Sequence, residues 1–291
     1  MRKYIPTLVL VLLLIGWALF LDHASDFFIF QPNRQVYNLK PSFQEISFPA
    51  RNGEKLYALY LPAKENKPTV LFLHGQKHNA YDFQDFALDL NKEGYGVLMP
   101  DYRGFGKSKG RPSEKNMKDD AAASFSYMMT DLKLLPKQIV LWGFSLGATP
   151  ALHVAAQFSK LPIKSLILQS PFTNMTEMGY YVLARKHDHN SPGRKIIVLF
   201  LKPLLWNKTF DNVSLIQKVR APILVGYSQQ DATIPWTMSR DLAAKAPLGT
   251  AKFMSLTGVH HSFDWLIPTA HIFIESLNAL QETQSQAQNP A

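Results

Sequence analysis

One serine in this chain has the neighbours that can turn a hydroxyl into a nucleophile. Ser145 is the centre of Gly143-Phe144-Ser145-Leu146-Gly147, which follows an apolar run at 139–142 and precedes a helix-like segment at 148–158. A strand that turns sharply into a helix holds the apical residue in strained φ/ψ and lifts its side chain clear of the sheet. Glycines two places to either side suit such a turn, because backbone there packs on backbone and a Cβ would collide. The chemistry such a serine could serve is acyl transfer, its oxygen attacking an ester, thioester or amide carbonyl.

A serine does this only when a base removes its proton and a carboxylate orients the base. Around this kind of turn the partners follow in the order Ser, Asp or Glu, His, each in the loop beyond a strand. The apolar run at 222–227 leads into Ser228-Gln229-Gln230-Asp231, which makes Asp231 the candidate acid. The run at 252–256 leads into Thr257-Gly258-Val259-His260-His261 and supplies the candidate base. A short Gly-x-His turn points to His260, and a loop slipped by one residue gives His261 instead. The tetrahedral intermediate needs donors for its oxyanion. The Leu146 N–H, just after the nucleophile, is one candidate; the Gln76 N–H, in the loop His74-Gly75-Gln76, is the other. A plainer reading is an idle serine in a glycine-rich turn and an aspartate that merely caps one. Agreement of order, position and residue type favours the triad. His74, His78, His153 and His271 are expected to be structural or exposed.

The elements that must position these groups follow an alternating grammar. A hairpin is expected over 45–62, with Asn52-Gly53 as a two-residue turn. From residue 69 strands and helices alternate: strands at 69–73, 96–100, 139–142, 165–169, 222–227 and 252–256, with helices around 81–91, 117–132, 148–158, 237–246 and 262–280. Continuous apolar strands between amphipathic helices imply a mostly parallel sheet covered on both faces, an α/β fold. Pro150 falls in the helix after the serine and is expected to disturb its first turns.

The chain has 291 residues, 46% of them hydrophobic, which excludes general disorder. It has no cysteine, so disulfides, thiolate catalysis and Cys-ligated zinc are excluded. Lys and Arg outnumber Asp and Glu by 31 to 22, a net charge of +9. No nucleic-acid motif accompanies that charge, so an anionic membrane surface is the preferred partner and nucleic acid is not expected. Residues 4–21 carry no charge and are just long enough to span a bilayer as a helix. A cleaved signal peptide is the alternative, but its apolar region is usually shorter and Asp22-His23-Ala24 offers a poor cleavage site. Arg2 and Lys3 before the span place the remainder on the non-cytoplasmic side of a single-pass protein, with residues 27–30 as an aromatic belt at the interface. The expected organisation is an anchor at 1–21, a linker at 22–40, one catalytic domain at 41–280 and a disordered tail at 281–291. An insertion at 174–212 interrupts the alternation; its length and apolar content suit a lid.

Two other patterns carry less. Gly104-Phe105-Gly106-Lys107-Ser108 imitates the end of a P-loop, but its first glycine position holds Asp101. His187-Asp188-His189 has metal-ligating residue types, yet a solvated charge cluster is the simpler reading, and neither metal nor organic cofactor is expected.

Together, Leu73-His74-Gly75, the segment 101–108, Gly143-Phe144-Ser145-Leu146-Gly147, the segment 231–235 and the loop with Gly258 and His260 resemble the α/β-hydrolases, within them the membrane-anchored single-span serine hydrolases. The resemblance covers roughly 41–280. It implies nucleophile Ser145, acid Asp231, base His260, oxyanion donors Gln76 and Leu146, and a structural role for 101–108 beside the oxyanion loop. The implied activity is hydrolysis of esters, thioesters or amides. The apolar insertion with its basic residues, held near a bilayer, separately favours acyl or lipid-like small molecules as substrates. A serine peptidase and a non-catalytic membrane scaffold are the rival readings.

Overall fold

A computed structural model describes residues 5–65, 67–186, 205, 208–256 and 261. Its centre is an eight-stranded sheet, in the order β1-β2-β4-β3-β5-β6-β7-β8. The strands are β1 (Gln44–Pro49), β2 (Lys55–Leu61), β3 (Thr69–Leu73), β4 (Gly96–Asp101), β5 (Ile139–Phe144), β6 (Ser165–Gln169), β7 (Ile223–Tyr227) and β8 (Ala251–Ser255). β1 runs antiparallel to β2 and β2 antiparallel to β4, whereas every pair from β4 through β8 is parallel. The chain thus has the α/β-hydrolase fold, with an antiparallel start to a mostly parallel sheet.

The apolar runs form central strands because both faces are covered. Every residue of β3, β4, β5 and β6 is buried. Alternate residues then go to opposite cores, as the two-residue period of a strand requires. Leu71, Leu141, Leu166 and Val225 join the core that holds Phe125 and Met128 of α3 (Glu114–Thr130) and Leu152 of α4 (Ala148–Gln157). Val70, Phe72, Trp142 and Leu224 face the other way, against Phe86 and Leu90 of α2 (Gln84–Lys92). The α3 helix starts where Ser113 accepts a hydrogen bond from the Asn116 N–H, a serine cap that satisfies one of the helix's orphan donors.

Two local expectations are corrected. The hairpin is present, but residues 50–54 form its connection, because the β1–β2 register ends at Pro49 opposite Lys55. Gly53 is still the residue at positive φ, and its N–H bonds to the Ala50 carbonyl, so the turn is longer than two residues. Pro150 does not interrupt α4, because it lies in the first turn, where its missing N–H would have had no intrahelical partner.

At the N-terminus, α1 runs Ile5–Phe30, so the helix continues through much of the stretch expected as linker. Among the described residues no helix is long and apolar enough to cross a membrane. The end of α1 is fastened to the sheet domain. Asp26 is 3% exposed and pairs with Lys208 at 2.7 Å and Arg111 at 2.6 Å; Asp22 takes the same two cations at 2.7 and 3.0 Å. Phe30 is buried against Phe210. Buried Asp26 and partly exposed Asp22 are tolerable there because two cations match the two carboxylates, each cation reaching both. Among the described residues the remaining helices are α5 (Met175–Lys186), α6 (Asn212–Ile216) and α7 (Trp236–Ala243). The expected helix at 262–280, the tail at 281–291 and most of the insertion at 174–212 lie outside the described residues.

Candidate active site

Ser145 follows β5 directly, in a single 3-10 turn, Ser145–Gly147, that feeds α4. Its φ is +54°, a strained conformation for a residue with a side chain. The flanking glycines enforce the turn. A Cβ on Gly147 would come within 1.9 Å of the Leu73 carbonyl oxygen, and one on Gly143 within 2.5 Å of the Gly147 oxygen. Both obstacles are backbone and cannot swing away.

Because β3, β5, β7 and β8 run in parallel, the loops beyond their ends gather at one edge of the sheet, where open α/β sheets bind ligands. Asp231, beyond β7, accepts backbone hydrogen bonds from Thr233 and Ile234, each at 2.8 Å. Its other oxygen lies 2.8 Å from His261 Nδ1, and His261 Nε2 lies 2.9 Å from Ser145 Oγ. Burial pushes the Asp231 carboxyl up, but the His261 contact and the two backbone donors outweigh it and hold the group below its ordinary value. An ionised Asp231 accepts a proton-bearing Nδ1, which leaves the Nε2 lone pair directed at the serine hydroxyl. Phe144 stacks on the imidazole at 5.4 Å, restricting its tilt.

The histidine brought to this position is His261, the second of the two candidates; His260, favoured from the sequence, lies outside the described residues. Ser145 and Asp231 stand where the sequence reading puts them.

Gln76 and Leu146 line the same cavity as Ser145. The loop bearing Gln76 is seated close to the nucleophile by Gly75, whose Cβ position lies 3.2 Å from Ser145 Cβ. His74 anchors that loop from below. Its Nδ1 is 2.9 Å from the Gly75 carbonyl, and the Tyr102 hydroxyl donates to the His74 carbonyl at 3.2 Å. Full burial lowers the His74 pKa to about 4 and raises that of neighbouring Asp101 to about 7. Asp101 also accepts the Ala80 N–H at 2.7 Å, and a Cβ on Gly106, at φ +46°, would fall 1.9 Å from its Oδ2. The segment after β4 thus packs around a carboxylate. His78 lies near Asp82 and His153 is partly buried; neither approaches the relay.

The cavity beside Ser145 has a volume of about 270 Å³. Phe172, Met175 and Met178 form one wall. The opposite contribution was not anticipated: Ser25, Phe28 and Ile29, at the end of α1, also line it. Of the run at 27–30 expected at a membrane interface, Phe27 and Phe28 are largely exposed while Phe30 is buried, and nothing local in the sequence signals that Phe28 and Ile29 also border this cavity. A larger cavity of about 450 Å³, lined among others by Phe48, Asp119 and Tyr127, contains no member of the relay. Among the described residues no group of His, Asp and Glu could hold a metal ion; His187, Asp188, His189 and His271 lie outside them.

A strained serine, an imidazole and a carboxylate thus meet at the strand ends of the sheet, and comparison with known proteins supports the α/β-hydrolase fold. The family model for the alpha/beta hydrolase fold matches residues 68–195. The chain is 24% identical over 253 residues to the uncharacterized protein YfhR of Escherichia coli (strain K12), covering 84% of each chain. It is 29% identical over 270 residues to the lysophosphatidylserine lipase ABHD12 of Danio rerio, covering 85% of this chain and 68% of that one. Among solved structures, an alpha-beta hydrolase from Vibrio vulnificus superposes with a TM-score of 0.71 at 21% identity, covering 88% of this chain and 93% of the other. The Pyrococcus furiosus esterase Pf2001 gives 0.62 at 19% identity, covering 88% and 96%. At these identities the structures establish the fold alone.

Proposed function

We propose that the protein is a serine hydrolase acting on acyl esters or thioesters of lipid-like molecules through an acyl-Ser145 intermediate. The observation that carries the reading is the Ser145–His261–Asp231 relay opening into an apolar cavity. Ser145 Oγ attacks the acyl carbon while His261 Nε2 takes its proton, and Asp231 stabilises the imidazolium that forms. The carbonyl oxygen, now an oxyanion, is received by the Leu146 and Gln76 N–H groups. The tetrahedral intermediate collapses, the bond to the leaving group breaks, and His261 returns the proton to that group. Water, deprotonated by His261, then attacks the acyl-serine, and a second collapse releases the acid and restores the Ser145 hydroxyl. General-base catalysis contributes about 10²–10⁴-fold and an oxyanion donor about 10²–10³-fold to such a reaction.

The substrate class rests on the cavity walls of Phe, Met and Ile, which suit an alkyl chain rather than a charged or peptide group. The uncharged run at 4–21 attaches the protein to a membrane, with the catalytic domain on the non-cytoplasmic side; the exposed Trp17, Leu19 and Phe20 support contact with a bilayer. The insertion at 174–212 acts as a lid, consistent with α5 supplying Met175 and Met178 to the cavity wall. Comparing p-nitrophenyl esters of rising chain length with aminoacyl-p-nitroanilides tests the substrate class: ester turnover is expected, and turnover of the anilides alone would favour a peptidase. A reporter fused after Ala291 that is active only in the cytoplasm would contradict the topology.

A further inference from the structure

The end of α1 does more than connect an anchor to a domain: we infer that Phe28 and Ile29 form the wall of the acyl site that sets which chain lengths Ser145 accepts. This rests on the acyl-hydrolase reading and assigns the selectivity of that same site to a segment outside the sheet domain. Ser25, Phe28 and Ile29 are spaced three and four apart, which puts them on one face of the helix. That face lines the cavity shared with Ser145 and Leu146.

The wall is fixed in place. Asp22, one turn before Ser25, and Asp26, within the same turn as the wall, are held by Arg111 and Lys208. Phe30, the next residue after Ile29, is buried and its carbonyl accepts the Lys77 N–H at 3.3 Å. The Phe28 carbonyl accepts the Gln76 side-chain amide at 3.0 Å. The helix end is thus bonded to the loop that carries a candidate oxyanion donor, so it cannot drift from the nucleophile without moving that loop.

Size decides what the wall can select. A dry apolar cavity of about 150 Å³ holds a benzene-sized group. At about 270 Å³, this one takes an acyl chain of medium length before the chain meets α1. Enlarging Ile29 shortens the site, whereas trimming Phe28, which is 63% exposed, opens it outward. A single methylene in an apolar pocket is worth about 10–200-fold in kcat/KM. The change from Ile to Trp is larger than that.

The test uses the full chain in detergent micelles and compares kcat/KM for p-nitrophenyl acetate and p-nitrophenyl octanoate. Ile29→Trp is expected to lower the octanoate-to-acetate ratio at least about tenfold. Phe28→Ala is expected to move the optimum toward longer chains, and since that side chain is largely exposed it keeps the idea testable should Ile29→Trp fail to fold. Phe20→Ala, on the same helix away from the cavity, is expected to keep the wild-type ratio. Wild-type ratios in both Ile29→Trp and Phe28→Ala, with ester turnover intact, would overturn the assignment of the wall and leave the hydrolase reading standing. A folded wild type that turns over no ester and takes no fluorophosphonate label at Ser145 would remove both.

Discussion

His74 and His261 lie beyond the two strands β3 and β8 of one sheet, yet their surroundings make them opposite kinds of residue. His74 is buried among Tyr102, Phe83 and Phe105 and is held neutral, its pKa lowered to about 4 by desolvation. The carboxylate nearest to it, Asp101, is itself pushed up to about 7 by burial and stands 3.8 Å away, too far for a hydrogen bond. His261 remains partly exposed and touches a carboxylate that two backbone donors help keep ionised. A strand-end histidine can serve as a base when a second partner stands behind it, and of these two only His261 has a carboxylate within hydrogen-bond distance. His74 instead braces the loop that carries Gly75 and Gln76.

The comparison can be broken or sharpened by substitution. The largest effect is expected from His261→Ala. Removing the group that takes the serine proton should cut kcat by about 10⁴–10⁶, while His260→Ala stays near wild type, as measured by ester hydrolysis. Equal losses in both variants would mean that the loop exchanges its histidines. Asp231→Asn comes next, with an expected fall of about 10⁴ in kcat and little change in KM, because an amide no longer fixes the tautomer that leaves Nε2 free to accept. A loss confined to KM would show Asp231 to be a binding group instead. His74→Ala should act on stability rather than chemistry. Deleting a buried, hydrogen-bonded ring costs about 1–3 kcal/mol by denaturant unfolding, and a catalytic loss as large as that of His261→Ala would refute the division between the two histidines.

The smallest effect concerns pH. His74 is neutral in the fold and protonated when unfolded between pH 4 and 6.5, so its contribution to stability grows as pH rises through that window. Asp101 holds a proton in the fold up to about pH 7 that the unfolded chain gives up near 3.8, so its contribution declines as pH rises. Over pH 4 to 6.5 the two slopes oppose one another. Asp101→Asn removes the declining one, and unfolding free energy should then climb more steeply with pH in that range than in wild type. An unchanged slope would show that Asp101 is ionised in the fold.

How far the sequence foretold this arrangement depends on whether a feature is local. The β6 strand falls at 165–169 as expected, and the elbow at Ser145 is legible because two glycines announce a backbone contact that no other residue could occupy. Asp231 is legible because a buried strand ends just before it. The choice between His260 and His261 depends on the path of the chain after β8 and cannot be read from a doublet. Pro150 looked disruptive until its place in the first helical turn was known. Hardest of all was the end of α1, because the partners of Asp22 and Asp26, Arg111 and Lys208, lie far along the chain. No periodicity encodes such a contact, and with it went the inward turn of Phe28 and Ile29.

The central claim is that Ser145 is activated by His261. Fluorophosphonate labelling of the folded protein, followed by mapping of the modified residue, tests it most directly. The account predicts rapid labelling of wild type and of His260→Ala at Ser145, with loss in Ser145→Ala and His261→Ala. Labelling of His261→Ala at the wild-type rate, or none in the folded wild type, would contradict it.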